Sequence, residues 1–172
     1  MDKASIAKIQ TAHPAERDNM LAAYNACVAQ TPANVHPVVD QVYRSIAESN
    51  SLYQEGRDAN GNVIDESAVV SNAKGGASWH NYGLAFDIHM VRDGADVWFD
   101  TTPEAAAKAA SDPDYAVMIS IMAQYGYNWG GNFPGEFRDV PHFENKHGQL
   151  LSGLFAKYQN GDLIPGTEYV NI

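Results

Sequence analysis

The chain has 172 residues, of which 45% are hydrophobic and 19% are charged, a balance typical of one globular domain. Its 11 lysine and arginine residues and 21 aspartate and glutamate residues give a formal net charge of −10. Because the basic residues form no cluster, this charge argues against nucleic-acid binding and against a polybasic membrane anchor. The single cysteine, Cys27, excludes an intrachain disulfide and a cysteine-based zinc knuckle or iron–sulfur site.

Three further features of the sequence bear on the location of the chain and on its domain organisation. No run of about 18 apolar residues is present, which argues against a transmembrane helix. Roughly the first 20 residues lack the apolar stretch of a secretory signal, so we expect synthesis in the cytoplasm without a signal peptide. No internal repeat or linker is visible, and we expect residues 1–172 to form one domain.

The first part of the chain is predicted to be mainly helical. Pro14 suits the first turn of a helix, and the apolar spacing over residues 20–28 continues this helix until Thr31. The apolar segment 38–43 predicts either a short strand or the start of a helix. Another helix is predicted over residues 45–54, where residues 46, 49, 50 and 53 share one face.

The rest of the chain is predicted to alternate short strands with helices. Residues 57–77 form a long polar loop, and long ordered loops are often functional. Another polar loop is expected around Asp93, Asp96 and Asp100. The remaining predictions are a strand at 84–91, helices at 103–110 and 113–125, short strands at 127–131 and 142–144, and a helix at 149–158. Without regular βαβ units, this order predicts an α+β fold.

Two histidine-containing segments carry the candidate chemistry. In the first, His80 precedes a predicted strand and Asp87 lies within it, and Gly83 allows a bend that turns both side chains toward one point. In the second, His142 follows Pro141. Two histidines and an aspartate offer three ligands and leave a fourth position for water, which is the form of a catalytic zinc site. The residues alone do not establish that the three meet, and each histidine is also compatible with a purely structural role.

A family resemblance links these segments. The five fixed positions of the pattern S-x-H-x-x-G-x-A-x-D are matched by Ser78, His80, Gly83, Ala85 and Asp87. This pattern resembles the signature of the M15-type zinc peptidases. That family includes the D-Ala-D-Ala carboxypeptidases and dipeptidases of glycopeptide resistance and the phage L-alanyl-D-glutamate endopeptidases.

Other segments in the same order extend the resemblance over roughly residues 38–155. The run from Asp139 to His142 (DVPH) resembles the endolysin branch of the family, whereas the dipeptidases have Glu followed by Trp-His. Upstream, residues 43–45 (YRS) resemble the family's Y-R-S/T helix entry, and residues 71–76 (SNAKGG) resemble the loop before the first ligand. The chain is therefore most similar to the endolysin-type endopeptidases.

The resemblance implies a set of site residues. His80, Asp87 and His142 are implied to hold one Zn²⁺ per chain, and Asp139 is implied to be the general base. Because Pro141 removes a ladder donor and bends the chain, we expect Asp139 to lie on a turn beside the metal.

The roles of four other residues are less definite. Arg44 matches an arginine that the dipeptidases use near the scissile carbonyl, which implies an oxyanion or carboxylate clamp; a surface ion pair is the alternative. Ser78 could hydrogen-bond the substrate or hold its own loop. His89 shares a strand face with the aspartate ligand, so a ligand or supporting role is open. Glu144 shares a face with His142 and could compete as the base or orient that ring.

The resemblance also implies a fold and a function. The expected fold is a small antiparallel sheet that carries the metal site and is surrounded by helices, as in the D,D-peptidases and the Hedgehog signalling domain. The expected protein is a monomeric endolysin that hydrolyses the L-Ala–D-Glu bond of peptidoglycan stems and lyses the host cell. We expect residues 1–172 to be a catalytic domain without a separate cell-wall-binding domain, which reaches the wall through a holin lesion.

Two alternative functions remain open. A D-Ala-D-Ala carboxypeptidase or dipeptidase is disfavoured by Asp139 in place of Glu and Pro141 in place of Trp. A non-catalytic zinc-holding domain is disfavoured by the presence of both Asp139 and Arg44. Three other histidines have no partner motif and are expected at the surface: His13, His36 and His147.

Overall fold

A five-stranded antiparallel sheet organises the computed structural model, which describes residues 2–172. The strands hydrogen-bond in the order β1-β2-β5-β4, and β3 also pairs with β2. Residues 90–92 of β2 pair with both β1 and β3, so these two strands lie on opposite edges of β2. Asp87 pairs with both β1 and β5, so β5 shares the edge of β3. The strands are β1 (Val35–Gln41), β2 (Ala85–Arg92), β3 (Ala95–Val97), β4 (Asn128–Trp129) and β5 (His142–Glu144).

Six α-helices accompany the sheet in the described residues. They are α1 (Lys3–Ile9), α2 (Arg17–Gln30), α3 (Ile46–Gln54), α4 (Pro103–Ser111), α5 (Pro113–Gln124) and α6 (Leu151–Gln159). Proline stands in the first turn of α4 and α5, where Thr102 and Asp112 accept hydrogen bonds from the first backbone N–H groups. Across residues 2–172, no helix combines the length and apolarity needed to cross a membrane.

The predicted α+β class is confirmed, and the differences lie at the short elements. Segment 38–43 contributes to the strand β1, so the prediction of a strand is confirmed and that of a helix start is not. The helix expected from Pro14 begins at Arg17, because Pro14 lies in the preceding turn. The sequence pattern predicts neither α1 nor β3, which have seven and three residues and are too short for a clear period.

The two faces of β2 serve different purposes. Phe86, Ile88 and Met90 are fully buried and pack into the main hydrophobic core, which also contains the apolar faces of α2 and α5. Since side chains alternate along a strand, Asp87 and His89 point to the opposite face. That face carries the candidate site.

One of the three histidines expected at the surface is buried, and the prediction for it is wrong. His13 is 1% exposed, its Nε2 lies 2.9 Å from the carbonyl oxygen of Val170, and its ring packs edge-on against Tyr169. The partner is 157 residues away along the chain, so no local pattern reveals it. His36 and His147 lie at the surface as expected.

Candidate metal centre and active site

Three potential ligand atoms converge on the face of β2 that is turned away from the core. His80 Nε2 lies 3.1 Å from His142 Nδ1, and both atoms lie 3.2 Å from Asp87 Oδ1. These are the three residues that the sequence analysis expected to share a site, and the structure brings them together.

The spacing of these atoms fits a metal ion. A tetrahedral ion with bonds of about 2.0–2.1 Å requires ligand atoms about 3.3 Å apart. The three separations of 3.1, 3.2 and 3.2 Å agree with this requirement. Two imidazole nitrogens and a carboxylate oxygen suit zinc and several other divalent ions. His80, Asp87 and His142 can therefore hold a divalent metal and leave one position open.

His80 is positioned by the short 3₁₀ helix Trp79–Tyr82. The Ser78 hydroxyl accepts a hydrogen bond from the backbone N–H of His80 at the start of this helix, and Gly83 ends it in a left-handed conformation with φ of 66°. The Nδ1 of His80 lies 2.8 Å from the carbonyl oxygen of Val42. Because Nδ1–H donates to this carbonyl, Nε2 keeps its lone pair for a metal.

The other two ligands come from neighbouring strands. Asp87 on β2 and His142 on β5 are directly paired in the antiparallel register, so their side chains lie on the same face. His142 Nε2 lies 3.1 Å from Glu144 Oε2. Since Nε2–H donates to this carboxylate, Nδ1 of His142 is free to face the metal.

The electrostatics of the centre favour a positive charge between the three ligands. Burial alone would raise the pKa of Asp87, but His80 and His142 beside it hold this pKa well below its usual range. Burial alone would lower the pKa of His142, but hydrogen bonds to Asp87 and Glu144 raise it to about 10. A proton and a divalent cation therefore compete for the same position, and metal binding releases the proton.

Asp139 lies on the turn that leads into β5. Its N–H donates to the carbonyl oxygen of Gly130 over 3.1 Å, and its own carbonyl accepts from the N–H of His142 over 3.2 Å. Gly130 packs so closely against both residues that a side chain at this position would overlap them. Burial, followed by the negative charge of Asp87, raises the pKa of Asp139. A carboxylate with a raised pKa is a better proton acceptor near neutral pH.

Arg44 lies in the connection between β1 and α3, and its positive charge acts on Asp139. Its guanidinium donates two hydrogen bonds to Gln41 Oε1, of which the bond from Nε is 2.9 Å long. Gln41 pairs with Asp87 between β1 and β2, so it places the guanidinium at the edge of the metal-bearing face. The partner is a neutral amide rather than the carboxylate that a surface ion pair requires.

His89 engages both of its ring nitrogens outside the metal centre. Nδ1 lies 2.6 Å from Asp40 Oδ2, Nε2 lies 3.1 Å from Asp96 Oδ1, and the ring stacks on Trp98 at 4.2 Å between centroids. His89 therefore ties β1, β2 and β3 together. The assignment of Asp96 to a polar loop is wrong, because this residue lies in the three-residue strand β3.

Two side chains that shape the site lie outside every motif in the sequence. Gln41 holds Arg44, and Phe133 packs its ring 5.6 Å from the ring of His142. Neither stands in a motif, and each reaches its partner only through strand pairing or a turn. A pattern of strand alternation around Gln41 is the one signal in the sequence that could have indicated its face.

An α+β domain that joins two histidines and an aspartate beside a further carboxylate has the arrangement of a metallopeptidase. A family model described as D-alanyl-D-alanine carboxypeptidase, of the M15 peptidases, matches residues 71–145. The peptidoglycan L-alanyl-D-glutamate endopeptidase CwlK of Bacillus subtilis (strain 168) is 33% identical over 133 residues, which cover 77% of this chain and 72% of that protein. The chain belongs to the M15 peptidase family and is a metallopeptidase.

One solved structure shows the same fold, and a second match is more distant. The L-Ala D-Glu endopeptidase ChiX of Serratia marcescens matches with a TM-score of 0.51 and 18% identity, over 84% of this chain and 88% of that chain. The LD-carboxypeptidase LdcB matches with a TM-score of 0.48 and 21% identity, over 78% of this chain and 65% of that chain. The likeness to ChiX agrees with a small antiparallel sheet that carries the site.

Proposed function

We propose that this chain is a zinc-dependent endopeptidase that hydrolyses the L-Ala–D-Glu bond in the peptide stems of peptidoglycan. The observation that carries the proposal is the convergence of His80, Asp87 and His142, with ligand atoms no more than 3.2 Å apart, near Asp139. The choice of bond is supported by the 33% identity to CwlK, whose name specifies it. The run at residues 139–142, which resembles the endopeptidase branch, supports the same choice.

One Zn²⁺ per chain is the proposed cofactor. When bound, zinc supplies a Lewis acid and lowers the pKa of a water molecule at its open position toward ~7. The carbonyl of Val42 and the carboxylate of Glu144 hold the two imidazole ligands in the tautomers that ligation requires. These contacts orient the ligands before the ion arrives.

Asp139 is proposed to transfer the proton during hydrolysis. It accepts a proton from the attacking water while the water oxygen bonds to the carbonyl carbon of L-Ala. When the C–N bond breaks, Asp139 returns this proton to the departing nitrogen of D-Glu. The products are a carboxylic acid on L-Ala, which passes its remaining proton to the new amine or to solvent, and a free amino group on D-Glu. Asp139 ends in its starting state.

Arg44 and Ser78 are proposed to bind the substrate. The guanidinium that Gln41 holds can donate to the negative charge that develops on the scissile carbonyl oxygen, or to a carboxylate of D-Glu. The Ser78 hydroxyl accepts from the N–H of His80 and keeps its own proton for a substrate acceptor. Ser78 can therefore hold its loop and contact the substrate at the same time.

A lytic role is the wider part of the proposal. We propose that the chain acts as a monomeric endolysin, with one catalytic domain that reaches the wall through a holin lesion. The resemblance of residues 139–142 to the endolysin branch supports this role. Co-expression with a holin should lyse bacteria, whereas the chain expressed alone should not. Lysis that is independent of the holin would contradict this route.

Digestion of purified sacculi tests the proposed reaction. The zinc-loaded chain should release fragments with a new D-Glu amino terminus, identified by mass spectrometry after labelling of free amines. A chelator-treated sample is the control. Release of terminal D-Ala without a new D-Glu amine would instead favour the carboxypeptidase activity that the family description names. A zinc-loaded chain without any product would favour a non-catalytic binding domain.

A further inference from the structure

Glu144 is a buried carboxylate that has a partner on each oxygen. It is 4% exposed, its Oε2 lies 3.1 Å from His142 Nε2, and its Oε1 lies 3.1 Å from Lys146 Nζ. Burial of an ionised carboxylate is costly unless hydrogen bonds or opposite charges compensate it. Among the described residues, the side chains of His142 and Lys146 are therefore the two groups that compensate the buried charge of Glu144.

The two histidine ligands are held in different ways. His80 donates its Nδ1–H to the main-chain carbonyl of Val42, a partner that no side-chain substitution removes. His142 donates its Nε2–H to a side chain, Glu144. The ring of His142 also packs against the rings of His80 and Phe133, and the contact with Phe133 is apolar and cannot select which nitrogen carries the proton.

We infer that Glu144 is a positioning residue that selects the metal-binding tautomer of His142 and thereby sets the metal affinity of the centre. The inference rests on the proposed metal site and is independent of the proposed substrate. Glu144 contacts Nε2, whereas the other ligand atoms, on His80 and Asp87, lie 3.1 and 3.2 Å from Nδ1. The imidazole ring thus separates Glu144 from the open metal position, where a general base must act.

Competition between the protein and a chromophoric chelator for Zn²⁺ measures this role. Loss of an outer-shell carboxylate of this type lowers metal affinity by about 10–100-fold, and we expect this loss for Glu144→Leu. Glu144→Gln keeps an acceptor oxygen for Nε2–H but loses the charge, so its affinity should fall between Glu144→Leu and wild type. Glu104→Gln, at an exposed site in α4, removes the same charge and should bind zinc like wild type.

Circular dichroism of the metal-free proteins shows whether each variant folds, and Glu144→Gln carries the test if Glu144→Leu does not. Nitrogen chemical shifts of the histidine rings provide a second readout, since they report the protonated nitrogen. Zinc bound to Nδ1 would fix the proton on Nε2 in either protein, so the comparison uses the metal-free proteins at a pH where the ring is neutral. Under these conditions His142 should carry its proton on Nε2 in the wild type, and in Glu144→Leu this tautomer should lose its dominance.

Two results would overturn the inference. The first is a folded Glu144→Leu variant with wild-type zinc affinity and an unchanged His142 tautomer. The second is a Glu144→Gln variant with wild-type zinc affinity whose turnover is lower by ~100-fold or more, which would make Glu144 the base. Both affinity measurements use Zn²⁺ alone, so failure of the chain to cleave peptide stems would refute the proposed function separately.

Discussion

Replacing Gly83 with alanine tests how the fold positions a metal ligand. Gly83 ends the 3₁₀ helix that carries His80, and its φ of 66° costs a non-glycine residue about 1–2 kcal/mol. An added Cβ would also lie 2.5 Å from the backbone nitrogen of His13 and 3.1 Å from the carbonyl carbon of Ala12. Backbone atoms cannot rotate away, and such overpacking costs about 1–3 kcal/mol. We therefore expect Gly83→Ala to lower the free energy of unfolding by about 2–5 kcal/mol.

Gly94→Ala is the matched control for this prediction. Gly94, in the turn between β2 and β3, has φ of 80°, but a Cβ there would have no neighbour within 4 Å among the described residues. Only the conformational cost of about 1–2 kcal/mol then applies. Urea denaturation of the metal-free proteins measures both changes without the stabilisation that bound zinc would add. The difference between the two variants isolates the contact between Gly83 and the segment before α2.

Equal destabilisation of the two variants would refute this reasoning, because it would mean that the segment at Ala12 and His13 moves without an energetic cost.

Gly83→Ala should also weaken zinc binding. The N–H of Gly83 donates to the carbonyl of His80 over 3.2 Å, so movement at Gly83 displaces the helix that holds this ligand. A chelator competition assay on the folded variant measures the effect. Gly94→Ala should retain wild-type affinity.

Two further predictions concern the centre itself. Asp139→Asn should keep one zinc per chain and the wild-type fold but lose activity by ~10²–10⁴-fold, as steady-state kinetics with purified stems would show; near-native turnover in this variant would remove Asp139 from the role of base. His142→Ala should lose zinc in elemental analysis, because only two of the three converging ligands remain, whereas His89→Ala should keep it, because both nitrogens of His89 contact aspartates. Undiminished zinc in His142→Ala would contradict the ligand assignment.

The long elements of the fold could be predicted from local pattern. Proline begins α4 and α5, and the strand predicted at 84–91 is found as β2. The candidate ligands were likewise accessible, because His80 and Asp87 occupy one short motif and His142 follows a second. In such motifs the spacing of the residues along the chain and the chemistry of their side chains both indicate a shared metal site.

Other parts of the site depend on pairing between distant segments. The contact between Gln41 and Arg44 is local, but only the pairing of Gln41 with Asp87 brings it to the metal-bearing face, and a register shift next to Gln41 interrupts the regular strand pattern. The contact between His89 and Asp96 requires the three-residue strand β3, which has no recognisable period. Local propensity does not contain this information, since strand register is set by the burial of one face.

The hydrophobic core determines the geometry of the metal centre through this register. Phe86 pairs with Phe143 between β2 and β5, and both side chains are fully buried on the core face. The next pair along the same two strands is Asp87 with His142 on the opposite face. A slip of one residue would turn His142 into the core and bring Phe143 to the metal-bearing face. Burial of the two phenylalanines thus excludes the alternative register. The register that buries them also places Asp87 and His142 on the metal-bearing face.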